Sequence, residues 1–173
     1  AGVLEYDINK ITLDNVTGSA FLDAKIYDGL SVRGAFDVNT TYKNGSYLTN
    51  PLYGDASANN GYVEKENQRY FSYTGSVFLN YNKTFDKLLV DFLAGAESYK
   101  KEYSYLYGSK TNLATSDVPE FNNAVVYDAL SSYTQKYSVT GYLSRLNLSY
   151  DDKYYLSLSY RRDGSSRFHP DNR

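Results

Sequence analysis

Apolar and polar residues alternate with a period of two along most of the chain, the spacing of side chains on a β-strand whose faces meet different surroundings. In residues 154–161, Tyr154, Leu156, Leu158 and Tyr160 fall on one face and Tyr155, Ser157, Ser159 and Arg161 on the other. Five earlier strands follow from the same reading. Over 15–26 the small or apolar Val16, Gly18, Ala20, Leu22, Ala24 and Ile26 oppose the polar Asn15, Thr17, Ser19, Asp23 and Lys25, with Phe21 as the exception. Over 30–42, Leu30, Val32, Phe36, Val38 and Tyr42 oppose Ser31, Arg33, Asp37, Asn39 and Thr41. A third strand over 68–85 sets Phe71, Tyr73, Val77, Leu79 and Tyr81 against Ser72, Thr74, Ser76, Asn80 and Asn82. The fourth, 88–105, carries Val90, Phe92, Ala94 and Ala96 on one face, while the other mixes Asp91 and Glu97 with Leu89 and Leu93. The fifth, 133–150, changes phase: Tyr137 and Val139 are odd-numbered, whereas Leu146, Leu148 and Tyr150 are even. A β-bulge near Tyr142 and Leu143 would produce that slip.

The connections alternate as strictly as the residues do. Three hairpins close through short turns at 27–29, 86–87 and 151–153, and two long joints span about 43–67 and 107–132. Outer-membrane barrels have this asymmetry, with short periplasmic turns and long extracellular loops. Crossing an apolar band of about 25 Å at a tilt near 40° takes roughly ten residues of about 3.3 Å each, and every strand reaches that length. Tyrosines gather at the strand ends, with Tyr27, Tyr150, Tyr154 and Tyr155 by the short turns and Tyr42, Tyr70, Tyr99 and Tyr133 by the long joints, as two interfacial girdles would require. A soluble β-sandwich that binds carbohydrate or protein at a cell surface is the alternative, its apolar faces packed on each other.

Composition narrows the function. The 173 residues include 21 Tyr and 8 Phe, no Trp and no Cys, which suits an all-β chain and removes disulfides and thiolate metal sites. A net charge of -2 gives no reason to expect a nucleic-acid partner. No apolar run of about 18 residues forms a transmembrane helix, which leaves a membrane β-barrel open. A hydrolytic triad would rest on the single His169 beside Pro170, with no nucleophile elbow, so the chain does not read as an enzyme and no cofactor is implied.

One stretch carries a resemblance. YLSRLNLSYDDKYYLSLSYRRDGSSRF, and within it Arg145 to Asn147, Tyr150 to Tyr155 and Arg162 to Phe168, resembles the signature of SusC/RagA-type TonB-dependent outer-membrane transporters. FLDAKIYDGLSVRGAFDV, residues 21–38, is similar to an earlier hairpin of the same family. The resemblance implies six antiparallel strands forming part of the wall of a transmembrane barrel of about 22 strands in a Gram-negative outer membrane. Residues 1–173 would then be a partial barrel with no plug, N-terminal extension or C-terminal closing strand, and the joints at 43–67 and 107–132 would be extracellular loops. It further implies import of oligosaccharides or peptides with a SusD-like surface lipoprotein, and coupling to TonB through regions beyond this segment.

Within that frame Arg33, Asp37, Asp91, Arg145 and Arg161 are candidates for the lumen-facing wall. Arg162 shares the parity of Leu156 and Leu158 and lies about ten residues from the last turn, level with the outer-leaflet interface, where lipopolysaccharide phosphate is found. The reading favoured over contact with that phosphate is that Arg161, Arg162, Asp163 and Arg167 order the start of a loop through ion pairs, which are common where a strand enters a loop. Two further motifs are weak. DASANNGYVEKE, residues 55–66, places oxygens like an EF-hand calcium loop but has Asn60 where that loop needs glycine and no flanking helices. Five Asn-x-Ser/Thr sequons begin at Asn15, Asn39, Asn44, Asn82 and Asn147, the last inside a predicted strand.

Overall fold

The computed structural model describes residues 6–168; His169, the residue on which a hydrolytic triad would have rested, lies outside them. Six strands, β1 (Ile8–Tyr27), β2 (Leu30–Thr49), β3 (Tyr62–Phe85), β4 (Leu88–Leu113), β5 (Ala124–Tyr150) and β6 (Tyr154–Ser165), form one sheet in the order of the chain. Described residues contribute to no second sheet, so the sandwich alternative has nothing to pack its apolar face against. Short 3-10 helices at Asp55–Asn59 and Phe121–Asn123 interrupt the two longer connections.

The short turns form where the sequence tolerates a left-handed backbone. Gly29 takes φ 77, and Asp86, Asp151 and Asp152 take φ 52, a region that aspartate enters more readily than most residues. At Gly29 a side chain is excluded twice over, because a Cβ would lie 2.5 Å from the Asn82 carbonyl oxygen while the Asn82 amide donates to the Gly29 oxygen at 2.7 Å.

The strands outrun the predicted ones. Of the span 43–67, residues 43–49 belong to β2 and 62–67 to β3; of 107–132, residues 107–113 complete β4 and 124–132 begin β5. What remains outside regular strand is 50–61 and 114–123. The extensions escaped an apolar-polar reading because in sequences such as YVEKENQRY Val63 is the one aliphatic residue and no alternation marks a face, and a backbone ladder needs no apolar face to form.

The predicted bulge is absent. β5 and β6 pair in one unbroken register from Val139 opposite Ser165 to Tyr150 opposite Tyr154. Tyr137, Val139 and Leu143 therefore share a face with Arg145 and Asn147, and the apparent slip records tyrosine and aliphatic residues entering the polar face.

The described residues fall into two compact units. The first takes the segments ending at Val16, Thr40–Phe71 and Glu102–Gln135; the second takes Thr17–Asn39, Ser72–Lys101 and the segment from Lys136. Every fully buried hydrophobic side chain among the described residues, Leu48, Val63, Leu113 and Ala124, is in the first unit, with Ile8 and Phe121 packed against it. The second unit leaves its apolar residues uncovered: Leu22 is 73% exposed and Leu158 54%.

Candidate functional site

The second unit presents two chemically distinct faces. On one, Leu146 opposes Leu158, Leu148 opposes Leu156 and Tyr150 opposes Tyr154 across β5 and β6. Phe36 of β2 meets Tyr73 of β3 with ring centroids 5.9 Å apart. Apart from Ser144, opposite Tyr160, the stripe is apolar or aromatic between the turns and Tyr142, so it suits a hydrocarbon solvent and would be poorly placed in water.

The opposite face is a ladder of hydrogen bonds and ion pairs. Arg33 Nε approaches Asp23 at 3.7 Å and its guanidinium lies 5.0 Å from the Phe21 ring centroid. That contact accounts for Phe21, the apolar side chain out of phase over 15–26: a guanidinium lies over its ring. Asn39 donates to Thr17 Oγ1 at 2.7 Å. Asp91 accepts from Asn147 Nδ2 at 3.0 Å and lies 3.9 Å from Arg145 Nη2, while Ser157 donates to Asn147 Oδ1 at 2.7 Å. Asn147 is thus held by a hydrogen-bonded chain inside β5, where an attached glycan has no room. Asp37 is exposed, four residues along β2 from Arg33.

The arginine cluster divides between the faces. Arg161 Nε donates to both Asp163 carboxylate oxygens, at 2.8 and 3.1 Å. Gly141 stands opposite Asp163, and a Cβ there would lie 2.4 Å from Asp163 Oδ1 and 3.3 Å from Arg161 Nη2, so the glycine makes room for the pair. The Arg167 guanidinium lies 4.4 Å from the Tyr137 ring centroid. Arg162 pairs across the sheet with Tyr142, on the face of Leu158 and Tyr160. Arg161, Asp163 and Arg167 thus sit where they can order the strand end, and Arg162 stands apart from them.

In the first unit the polar face turns aromatic and acidic. Tyr70 and Tyr103 stack at 4.6 Å, Tyr103 meets Tyr133 edge-on at 5.8 Å, and Tyr133 meets Tyr105 at 5.2 Å. The Tyr62 and Tyr107 hydroxyls lie 2.9 Å apart and both donate to Glu64 Oε2, at 3.1 and 3.3 Å. Burial, reinforced by Glu64, pushes the Tyr62 phenol well above its ordinary range. Of this belt the sequence reading reaches only Tyr70 and Tyr133, as girdle residues; the signal for the rest is the regular two-residue spacing of Tyr103, Tyr105 and Tyr107, in the phase of Asp91.

Two buried asparagines fix the connections of this unit. Asn50 accepts from the Leu52 and Tyr53 amides at 3.0 and 2.9 Å, and its own amide groups donate to Asp7 Oδ1 at 2.9 and 2.7 Å. Asn123 donates to the Thr115 and Val118 carbonyls, each at 2.8 Å, and accepts from the Thr115 amide at 2.9 Å and its hydroxyl at 3.1 Å. The calcium-like stretch is divided: Asp55 opens a 3-10 turn, Asn60 adopts the left-handed conformation at φ 53, and Glu66 lies within β3, 3.9 Å from Lys43.

Comparisons with known proteins followed from this geometry. No family model matches the chain. It is 32% identical over 102 residues to TonB-dependent receptor P39 of Formosa agariphila, covering 57% of this chain and 10% of that protein. To TonB-dependent receptor P26 of the same organism it is 35% identical over 83 residues, 46% of this chain and 8% of the other. The chain therefore spans about a tenth of the curated relatives it matches. In structure it superposes on the RagAB peptide transporter with a TM-score of 0.89 at 19% identity, over 98% of this chain and 19% of that one. The RagAB peptide importer in its "open-open" state gives 0.88. The structural match establishes the fold.

Proposed function

We propose that this chain, a section of a SusC/RagA-type TonB-dependent receptor barrel, is the part of an outer-membrane nutrient importer that separates lipid from lumen. The observation that carries the reading is the pair of faces in the second unit: a largely apolar stripe that no described residue covers, backed by a ladder of paired charges and amides. In a barrel wall the stripe lies against the hydrocarbon and the ladder against water or an internal plug, which satisfies both faces without a second sheet.

Arg33, Asp37, Asp91, Arg145 and Arg161 then line the lumen. The short turns after β1, β3 and β5 face the periplasm, and the connections 50–61 and 114–123, with the strand extensions that carry them, rise on the cell surface. Arg162, on the apolar face near its outer edge, is placed to meet lipopolysaccharide phosphate. The importer's substrates are peptides or oligosaccharides, delivered by a SusD-like surface lipoprotein, with energy supplied by TonB through parts of the receptor outside this segment. The RagAB peptide transporter and the TonB-dependent receptors matched in sequence support that class of activity.

The sidedness is directly testable because the chain has no cysteine of its own. In intact cells expressing the full-length receptor, single cysteines at Ser57 and Asp117 should react with a membrane-impermeant maleimide, and single cysteines at Lys87 and Asp152 should react only after the outer membrane is opened. Equal labelling at both ends in intact cells, or the reverse order, would overturn the assignment.

A further inference from the structure

The first unit contains a cavity of about 590 Å3 that the transport reading does not use. Its position follows from strand parity. Thr12, Asn44, Ser46, Asn67, Leu106 and Leu130 line it, and in each strand these positions carry the phase of the apolar stripe, not the phase of Arg33, Asp91 and Arg145. The cavity therefore opens on the side of the sheet away from the tyrosine belt, where the sequence has exchanged aliphatic side chains for amides and hydroxyls.

The connection 114–123 makes the cavity by folding over this face. The Lys110 ammonium donates to the Phe121 carbonyl at 3.0 Å, Ser46 Oγ donates to the Pro119 carbonyl at 3.5 Å, and Lys65 Nζ bonds Glu120 Oε1 at 2.6 Å. The Phe121 ring rests over Gly108, where a Cβ would lie 3.1 Å from the ring edge. Asn123 holds the connection in place with its four hydrogen bonds. The result is an open, preformed cleft with an apolar patch of Leu106, Phe121 and Leu130, its leucines 51% and 67% exposed, bordered by Thr12, Asn44, Ser46 and Asn67.

The lining selects a chemistry. Lys65 and Glu120 neutralise each other at 2.6 Å and Glu66 is turned to Lys43 on the other face, so the exposed Lys10 is the one charge left at the rim, too little to build a phosphate or carboxylate site. Asn67 Nδ2 donates to Asn44 Oδ1 across β2 and β3, a bond that leaves the Asn44 amide nitrogen as a donor and the Asn67 amide oxygen as an acceptor for another partner. A donor and an acceptor side by side above an apolar, partly aromatic floor match a pyranose, which offers vicinal hydroxyls at its rim and C–H groups on its face. An extended peptide fits less well, since β2, β3 and β4 each have a neighbour on both sides and present no free strand edge to it.

We propose that this cleft is a binding site for an uncharged saccharide on the outward side of the wall. The inference rests on the barrel-wall reading, which places this side next to the sugar chains of outer-leaflet glycolipid; a free oligosaccharide at the cell surface carries the same chemistry.

The test uses the full-length receptor purified in detergent and observed by native mass spectrometry. One arm supplies a panel of neutral gluco-, manno- and galacto-oligosaccharides, and the other supplies lipopolysaccharide with a complete sugar core beside a form truncated to lipid A and its acidic sugars. The proposal expects an adduct with a neutral oligosaccharide, with core-bearing lipopolysaccharide in preference to the truncated form, or with both; which arm responds identifies the source. The double variant Asn44→Ala/Asn67→Ala should weaken that adduct by about tenfold, and Phe121→Leu, which keeps the floor apolar but removes the ring, should weaken it less. No adduct in either arm, equal binding of the truncated form, or an adduct indifferent to both variants overturns the proposal. Heat-modifiable migration of the same samples reports the barrel separately: a receptor that migrates as a barrel and binds no sugar defeats the cleft alone, and one that does not migrate as a barrel defeats the wall reading.

Discussion

The two units of this sheet solve the same problem for different solvents. The first behaves as a protein in water does: it buries Leu48, Val63, Leu113 and Ala124, and it holds the buried side chains of Asn50 and Asn123 with four hydrogen bonds at each residue. The second buries no comparable cluster among the described residues and exposes Leu22, Ile26, Leu156 and Leu158. In water such a surface would favour aggregation, but in hydrocarbon an outward leucine is already with its own kind and the requirement shifts to hydrogen bonding every backbone group, which a continuous sheet meets. On the barrel-wall reading the same strands draw on burial in one unit and on lipid contact in the other.

Substitutions should separate the two regimes. The largest effect is expected in the core of the first unit: Leu48→Ala removes a side chain that is 1% exposed and should cost roughly 2–5 kcal/mol, read as early proteolysis of the connections 50–61 and 114–123 in a receptor that still migrates as a barrel. In the second unit Leu158→Ala should cost far less, because lipid refills the space, whereas Leu158→Arg, about five residues from the turn and so near the middle of the apolar band, should cost roughly 2–4 kcal/mol. Ser157→Arg, one residue away on the polar face, should be nearly neutral, and denaturant unfolding of the receptor in vesicles measures all three.

Smaller effects follow from the pairings. Asn123→Leu leaves the Thr115 amide and two carbonyls without their partner and should cost about 1–3 kcal/mol, visible as local hydrogen exchange at 114–123 with the rest of the sheet unchanged. Gly141→Val should push Asp163 from Arg161 and loosen the end of β6, while Gly141→Ser should do so less. Least of all is the turn at Asp151, where hydrogen bonds from Lys153 and Lys87 hold the exposed carboxyl below its ordinary range. A carboxylate depressed in the folded state stabilises it fully above the ordinary aspartate value near 4 and loses that contribution only as pH falls further. Titration of the Asp151 carboxyl by NMR should give a midpoint below that of Asp151 in the Lys87→Ala/Lys153→Ala variant.

Much of this was legible in the sequence, and what was hidden has definite causes. Alternation in β2 and β6 assigns their faces because one face of each carries most of its apolar residues. It gives out at residues 43–49, 62–67, 107–113 and 124–132, where the few buried apolar side chains, Leu48, Val63, Leu113 and Ala124, set up no alternation and the backbone ladder does most to define a strand. Tyr137 and Val139 suggested a bulge because a polar face was taken to hold polar residues, whereas tyrosine serves there by stacking, as Tyr99 against Tyr137 at 5.8 Å does. Phe21 looked misplaced for want of Arg33, which approaches only when β1 and β2 pair. The asparagine staples were not legible at all, since Asn50 and Asn123 gain their partners only through the folded path of each connection, and a chain rich in Asn gives no sign of which ones are buried.

The central claim is that alternate residues of one strand face lipid and water. Single nitroxide labels on cysteines at Leu146, Asn147, Leu148, Ser157 and Leu158 of the full-length receptor in vesicles would measure it, by comparing collision with oxygen, which concentrates in hydrocarbon, and with a water-soluble nickel chelate. The account predicts high oxygen access at Leu146, Leu148 and Leu158 and higher chelate access at Asn147 and Ser157. A constant ratio along the strand, or one in the opposite phase, would contradict it.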